Sequence, residues 1–263
     1  MPVDPIDLRS AEEIAGIDRA CRVVHAILEE LRGLAAPGVT TGELDRVAED
    51  RLAAMGARPA FKGYHGFPAC VCISVNEEVV HGIPSARRAL QDGDIVSLDF
   101  GAVKGGWYGD AAITVPVGSP APEALRLIEV TREALRRGAA AALPGGRLGD
   151  VGAAVQRWVE EQGFSVVRDF VGHGIGRALH EAPPIPNFGV PGSGVRIRPG
   201  MVLAIEPMVN AGRPEVDILA DGWTAVTLDG SLSAHFEHTV AVTDAGPVVL
   251  GLGQPGAPVV NGA

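Results

Sequence analysis

Four carboxylates stand inside stretches that otherwise read as buried β-strand. They limit the folds open to this chain more than any other feature. Asp99 lies near the end of the apolar run 94–100, Asp110 within 107–115, Glu206 within 201–209 and Glu237 within 235–242. An isolated carboxylate in a dry strand costs roughly several kcal/mol. Each alone is compatible with a simpler explanation: the aspartates as solvated residues near a turn, the glutamates as members of structural ion pairs. Four together need four basic partners, and few lysines or arginines flank these segments. A fold that gathers them around cations is the simpler solution. With Lys104-Gly105 as the hairpin loop, Asp99 and Asp110 are expected directly opposite each other, with Cβ atoms about 5 Å apart.

His173 adds a nitrogen donor. It sits in Gly172-His173-Gly174-Ile175-Gly176, where glycines hold a turn and let backbone come close. A single histidine is more often a surface or core residue than a ligand. Beside four misplaced carboxylates the ligand reading is favoured. Four carboxylates and a neutral imidazole balance two divalent ions, which bridging carboxylates hold roughly 3.5–4 Å apart with room for a water between them. Oxygen-dominated ligation with one imidazole suits Mn, Fe, Co or Zn more than copper.

The rest of the chain shows a repeated plan. Ser10 and Glu13 form a capping-box pattern ahead of a helix over 11–31, with apolar residues at Ile14, Ile17, Val24, Ile27, Leu28 and Leu31. Thr40 and Glu43 open a second helix that Gly56 ends. Strand-like segments fill 70–117. Helices over 122–142 and 148–162 follow, then strand-like stretches at 201–209, 217–228 and 235–242. Pro37-Gly38 and Pro144-Gly145, Gly42 and Gly149, and Gly56 and Gly163 all lie 107 residues apart, and His65-Gly66 and His173-Gly174 lie 108 apart. Chance among common Gly and Pro residues is one reading. The other is a pseudo-duplicated α+β fold, helix pairs packed on a curved antiparallel sheet, with a site between its halves. On that reading residues 1–10 form an N-terminal arm. Residues 11–250 form one catalytic domain with repeats over about 11–118 and 119–250, and 251–263 are a flexible tail.

Of the 263 residues, 46% are hydrophobic and 21% charged, an ordinary globular balance. No apolar run approaches the roughly 18 residues of a spanning helix, and the N-terminus has no cationic start followed by an apolar block. A net charge of −10 opposes binding to nucleic acid or to an anionic membrane, but not to a peptide with a free α-amine. Cys21, Cys70 and Cys72 are too few for a disulfide framework or a structural zinc site, which fits a reducing cytoplasm. In a strand, Cys70 and Cys72 would share a face.

Taken in order, Tyr64-His-Gly-Phe-Pro, Cys72-Ile-Ser-Val-Asn-Glu, His81-Gly-Ile-Pro, Asp99 with Asp110, Gly172-His-Gly-Ile-Gly-Arg, His180-Glu, Glu206-Pro-Met and Glu237-His-Thr closely resemble the type I methionine aminopeptidases. The resemblance runs from about residue 11 to residue 250. It implies the pita-bread fold and hydrolytic removal of the N-terminal methionine from nascent polypeptides. It also implies Asp99, Asp110, His173, Glu206 and Glu237 as ligands of two divalent ions, with Asp110 and Glu237 bridging. His81 and His180 are implied as the substrate-contacting histidines, and Glu206 as the group that moves the proton. Tyr64, Phe67, Cys72 and Trp223, with His81 at the edge, are the candidate methionine pocket, though each is also compatible with plain core. The form resembled is the short bacterial one, since the stretch between His180 and Glu206 leaves no room for a large inserted subdomain. A monomer is expected, with a transient contact to the ribosome. Met1-Pro2 is itself a sequence such enzymes process. Ala111-Ala112, Leu179 and Phe61 depart from the common pattern, with smaller, non-aromatic and larger residues respectively. An X-Pro peptidase of the same fold, or a non-catalytic binding protein that kept it, are the alternatives.

Overall fold

The computed structural model describes residues 6–253. The pair Met1-Pro2 and most of the tail lie outside them. Four helices carry the two halves: α1 (Ala11–Leu34) and α2 (Thr41–Ala54), then α3 (Pro122–Ala141) and α4 (Leu148–Glu161). The first half supplies β1 (Arg58–Pro59), β2 (Val71–Val75), β3 (Glu78–Val80), β4 (Ile95–Lys104) and β5 (Trp107–Pro116). The second supplies β6 (Ser165–Val166), β7 (Gly172–Gly174), β8 (Glu181–Ile185), β9 (Val202–Ile205), β10 (Met208–Asn210), β11 (Val216–Ile218), β12 (Ala225–Thr227), β13 (Ser233–His235), β14 (Glu237–Thr243) and β15 (Gly246–Val249). Both capping boxes form: Ser10 with Glu13 and Thr40 with Glu43 satisfy otherwise orphaned N–H groups of α1 and α2. Helix α1 runs three residues past its expected end. That last turn faces solvent, with Leu34 exposed, so it carries no apolar stripe.

Nine strands form one antiparallel sheet in the order β1-β4-β5-β14-β9-β7-β8, with β2 also on β4 and β15 on β14. Pairing of β5 with β14 joins the halves, Glu237 opposite Ala112. One apolar cluster fills the space under α1 and α2, including Leu28, Leu44, Leu98 and Phe100. Another lies under α3 and α4, including Leu127, Val155, Leu203 and Val240. Each fully buried side chain of this kind contributes about 1.5–3 kcal/mol.

The repeat has a physical basis. An isolated bridge pairs Thr40 with Ala89, and 107 residues on another pairs Arg147 with Arg196. Gly38 N–H donates to the Leu90 carbonyl at 2.8 Å, and Gly145 N–H to that of Ile197 at 2.9 Å. Gly42 and Gly149 begin the second helix of each half at the same place. A Cβ on Gly42 would lie 2.7 Å from the Ala86 nitrogen, and one on Gly149 2.4 Å from the Val190 carbonyl oxygen. Both helices press directly on the strap that leads to the next strand. Asp99 and Glu206, the same offset apart, stand at equivalent points of the two halves.

Other expectations change as well, among them the strand-like stretch 217–228, which is the hairpin of β11 and β12. The β4–β5 hairpin turns at Gly105-Gly106, both with positive φ, instead of at Lys104-Gly105. Asp99 therefore pairs with Ala112 and Asp110 with Gly101. The aspartates are diagonal neighbours on one face instead of direct opposites, because a two-residue loop closes more easily with glycine at both left-handed positions. The stretches 201–209 and 235–242 each break into two strands in different sheets, at Glu206-Pro207 and at Phe236. Pro207 has no N–H to continue the ladder. Cys70 and Cys72 do not share a face: Cys70 precedes β2 and packs under the helices, while Cys72 lies in a separate cluster with Phe61 and Phe67.

Helix α1 approaches the sheet at Gly109, where an added Cβ would lie 2.6 Å from the Cys21 backbone nitrogen. A backbone atom inside a helix cannot rotate away. Gly109→Ala is expected to lower unfolding stability by about 2 kcal/mol or more, read as a fall in the urea midpoint. An unchanged midpoint would show that α1 does not seat here.

Candidate active site

Sheet register builds the floor of the site. Cys72 on β2 pairs with Asp99 on β4, Asp99 with Ala112 on β5, and Ala112 with Glu237 on β14. Paired residues project to the same face, so these four form one row across the sheet. The next row holds Asp110, two residues from Ala112, and Thr239, whose hydroxyl accepts from the Asp110 N–H and donates to its carbonyl. Thr239 pairs with Ala204 and Ala204 with His173. Glu206 follows the last residue of β9. The five expected ligands thus come from β4, β5, β7, β14 and the end of β9.

Ligand atoms of Asp110, His173 and Glu237 lie within 4.8 Å of one another. His173 Nε2 stands 3.4 Å from Glu206 Oε1. Asp99, Asp110, Glu206 and Glu237 each have one buried oxygen without a hydrogen-bond partner. Among the described residues, no lysine or arginine pairs with any of the four.

The chemistry of the donors suits divalent cations. Burial pushes the Asp99 carboxyl up to about 7. Burial, then repulsion among the group, pushes Asp110, Glu206 and Glu237 well above the ordinary carboxylate range. His173 is held down at about 3, by burial first and then by His180. Its Nδ1 lies 2.9 Å from the Gly174 carbonyl, which can only accept. The neutral ring therefore keeps its proton on Nδ1 and turns an unprotonated Nε2 toward Glu206. A lone pair facing a carboxylate is repulsive unless something positive lies between them.

Glycines make the approach possible. A Cβ on Gly172 would meet the Ala204 carbonyl at 2.3 Å, and one on Gly174 the Ala182 carbonyl at 2.3 Å. His81 has φ +61 at the end of β3, and Gly82 crosses β2 so closely that a Cβ would lie 2.2 Å from the Ile73 carbonyl. Glycine at position 82 is thus a backbone requirement, and His81 takes a left-handed conformation that residues other than glycine rarely adopt.

Above the floor opens a cavity with room of about 260 Å³, lined by all five expected ligands and by Tyr64, Phe67, Cys72, His81, His180 and Trp223. Every site residue expected from the sequence reaches this one cavity. The Tyr64 hydroxyl lies 2.7 Å from His180 Nδ1, and the His180 and His173 rings meet edge-on at 4.2 Å. His81 meets Phe170 and Trp223 edge-on, and burial, then His180, holds its pKa down to about 4. Phe61 and Leu179, the departures from the common pattern, both stand in the wall. Ala112 faces the floor between Asp99 and Glu237, whereas Ala111 packs into the core under α1.

Two residues escaped the sequence reading. His65 lines the cavity beside Tyr64. His235 is buried with both ring nitrogens unpartnered, and its Nε2 is 4.0 Å from Glu206 Oε2. Its position two residues before Glu237, and so on the same strand face but for the break at Phe236, was the available signal.

Comparison with known proteins agrees with this geometry. The profile of metallopeptidase family M24 matches residues 15–244. Methionine aminopeptidase A of Synechocystis sp. is 51% identical over 251 residues, covering 95% of this chain and 99% of that protein. Methionine aminopeptidase 1 of Bacillus subtilis is 51% identical over 238 residues, covering 90% and 96%. The crystal structure of methionine aminopeptidase from Thermotoga maritima superposes with a TM-score of 0.92 at 47% identity, covering 94% of this chain and 99% of that one. A profile match over most of the chain, and full-length relatives at this identity, place it plainly: the chain belongs to metallopeptidase family M24, among the type I methionine aminopeptidases.

Proposed function

We propose that this protein hydrolyses the N-terminal methionine from polypeptides whose second residue is small, with two divalent ions held by Asp99, Asp110, His173, Glu206 and Glu237. One observation carries the reading: four carboxylates, each with an orphaned buried oxygen, meet an unprotonated imidazole nitrogen at the bottom of a cavity walled by aromatic rings and a thiol. Bound dications supply an acidified water and a polarised carbonyl. The residues do the rest. Asp110 and Glu237, with ligand atoms within 4.8 Å of each other, would be the pair shared by both ions. Glu206 takes the proton of the attacking water and passes it to the departing amine. When the Tyr64 hydroxyl donates to His180 Nδ1, Nε2–H points away from Tyr64 and donates to the carbonyl oxygen as charge develops there. His81, neutral at physiological pH, contacts the amide nitrogen. Tyr64, Phe67, Cys72 and Trp223, with Phe61 and Leu179, make a dry slot for a polarisable thioether.

No described helix is long and apolar enough to cross a membrane, and three free cysteines support a reducing cytoplasm. Nascent chains in that compartment are the natural substrates, which implies transient work beside the ribosome. An X-Pro peptidase or a non-catalytic relative is not favoured, given relatives this similar over their whole length.

Two tests follow from the site. Metal-loaded protein is expected to cleave Met-Ala-Ser, to lose that activity to a chelator, and to leave Ala-Pro peptides uncut. His180→Ala should lower kcat about 10²–10³-fold while titrated metal uptake stays unchanged. Wild-type turnover by that variant would remove the assigned role. The second test is protonic. Without metal the raised carboxyl pKa values make the folded state hold protons that the unfolded chain has lost. For Asp99 this means apo stability falls as pH rises from about 4 toward 7. Binding of Mn²⁺ must expel these protons. Calorimetry at pH 6.5 in buffers of different ionisation enthalpy should show net proton release, and Mn²⁺ should raise Tm more at pH 8 than at pH 5. Zero release, or an equal Tm gain at both, would contradict the ligand assignment.

A further inference from the structure

The loop that carries His180 is tied to a segment outside the paired helices and strands. Between β7 and β8, residues 175–180 form the tip of a hairpin in which Gly174 pairs with Glu181. Glu181 Oε1 accepts from the Arg177 N–H at 2.7 Å and from the Ala178 N–H at 3.0 Å, closing the tip on itself. The other oxygen, Oε2, is 2.5 Å from Arg9 Nη2. The Arg9 side chain is only 8% exposed and that of Glu181 17%. Arg9 stands two residues before α1, in the expected N-terminal arm, and that arm is docked: the Arg9 N–H donates to the Gly200 carbonyl at 2.7 Å.

The fit leaves no slack. A Cβ on Gly176 would lie 2.7 Å from Arg9 Nη2, so the guanidinium fills the place a side chain would take. On the far side the Tyr108 N–H donates to the Gly176 carbonyl at 2.9 Å, and the Arg177 guanidinium lies 3.5 Å from the Trp107 ring centre. Leu179 and His180 hang between these anchors. The one hydrogen bond the His180 ring itself makes among the described residues is to Tyr64. Its aim into the cavity therefore depends on where the Glu181 carboxylate is fixed.

We infer that Arg9 is a positioning residue for the reaction, acting through Glu181 to aim His180 and the Leu179 wall at the bound peptide. This rests on the proposed peptidase activity, and it assigns a catalytic consequence to a residue about 170 positions from the loop it orients. One guanidinium nitrogen, Nη2, reaches Asp7 at 3.0 Å as well as Glu181 at 2.5 Å, a contact that a lysine ammonium can make in part.

The test uses the full-length, Mn²⁺-loaded protein and Met-Ala-Ser. Arg9→Met keeps the bulk and removes the charge. It should lower kcat about 10–100-fold, the range for misplacement of a catalytic group from a distance, with KM and calorimetric Mn²⁺ affinity each within about threefold of wild type. Arg9→Lys should recover a large part of the loss. The His180 imidazole resonance of the metal-free protein, identified by its absence in His180→Gln, should shift or broaden in Arg9→Met while that of His235 stays. Should Arg9→Met not fold, Arg9→Gln takes its place. Unchanged kcat, a loss of rate matched by loss of Mn²⁺ affinity, no recovery with lysine, or an unmoved His180 resonance would overturn the inference. If the wild type cleaves no Met-Ala-Ser, the peptidase reading fails instead, and the resonance still decides whether Arg9 orients His180.

Discussion

Repulsion among buried carboxylates is the constraint around which this molecule is built. Ligand atoms of Asp110 and Glu237 stand within 4.8 Å of each other. At that separation two full charges repel by about 3 kcal/mol even with an effective dielectric near 20, and Asp99 and Glu206 add to the same patch. Without a counter-charge the group relieves itself by taking up protons, which is what the raised pKa values express. The fold does not allow the other relief, which is to move apart. Asp99 and Asp110 are pinned by the ten-pair ladder of β4 with β5, and Glu237 is pinned to Ala112 by the joint between the halves. Two apolar cores behind that sheet stabilise the arrangement against its own repulsion. Cation binding and folding therefore act on the same free energy.

Duplication explains how such an unfavourable patch could arise in a foldable chain. Each half repeats one unit, a helix, a glycine-led second helix pressed on a strap, and a strand with a carboxylate in it or just after it. Asp99 and Glu206 are the equivalent acids. One acid on an open sheet face is easily solvated. Only when β5 pairs with β14 do the two acids face the same space, now with Asp110 and Glu237 from the two strands of the joint and His173 from β7. The site belongs to the joint between the halves, and neither half alone would need a metal.

Much of this was legible because the chemistry conflicts with its local context. Asp99 and Glu206 announce themselves as anions among Val, Ile and Leu, and Pro-Gly and Gly-Glu-Leu at a fixed spacing expose the repeat. What stayed hidden lacks such conflict. The hairpin register depended on whether Lys104 or Gly106 joined Gly105 in the turn, a choice between two glycine-containing loops that apolar alternation cannot settle. The breaks at Pro207 and Phe236 lie in stretches buried on both sides, where hydrophobicity is continuous across a change of sheet. Arg9 and Glu181 carry no apolar signal, and nothing local relates them. His235 looks like one more polar residue in a strand until Glu206 is placed beside it. Family resemblance supplied the roles of His81 and His180, which no spacing argument reaches.

Floor and walls of the cavity are made differently, and this bears on how specificity can change. The five expected ligands project from strands, or the end of one, whose neighbours are locked by register. Wall residues come from turns: Tyr64 from the tight turn after β1, Trp223 from the loop between β11 and β12, Leu179 and His180 from the tip tied by Arg9. Substitution in the walls should therefore alter what fits without disturbing what holds the ions. Phe61 marks the limit of that independence. Its ring rests on Gly101, where a Cβ would lie 2.6 Å away, and Gly101 pairs with Asp110. A large residue in this wall is possible only because the floor beneath it has no side chain, so the bulk of position 61 and the glycine beside Asp110 must vary together. Leu179, shorter than an aromatic, offsets that bulk from the opposite segment of the chain. The slot can be reshaped by exchanging volume between its walls, while the Phe61 ring leaves room at position 101 for nothing but a glycine's hydrogen.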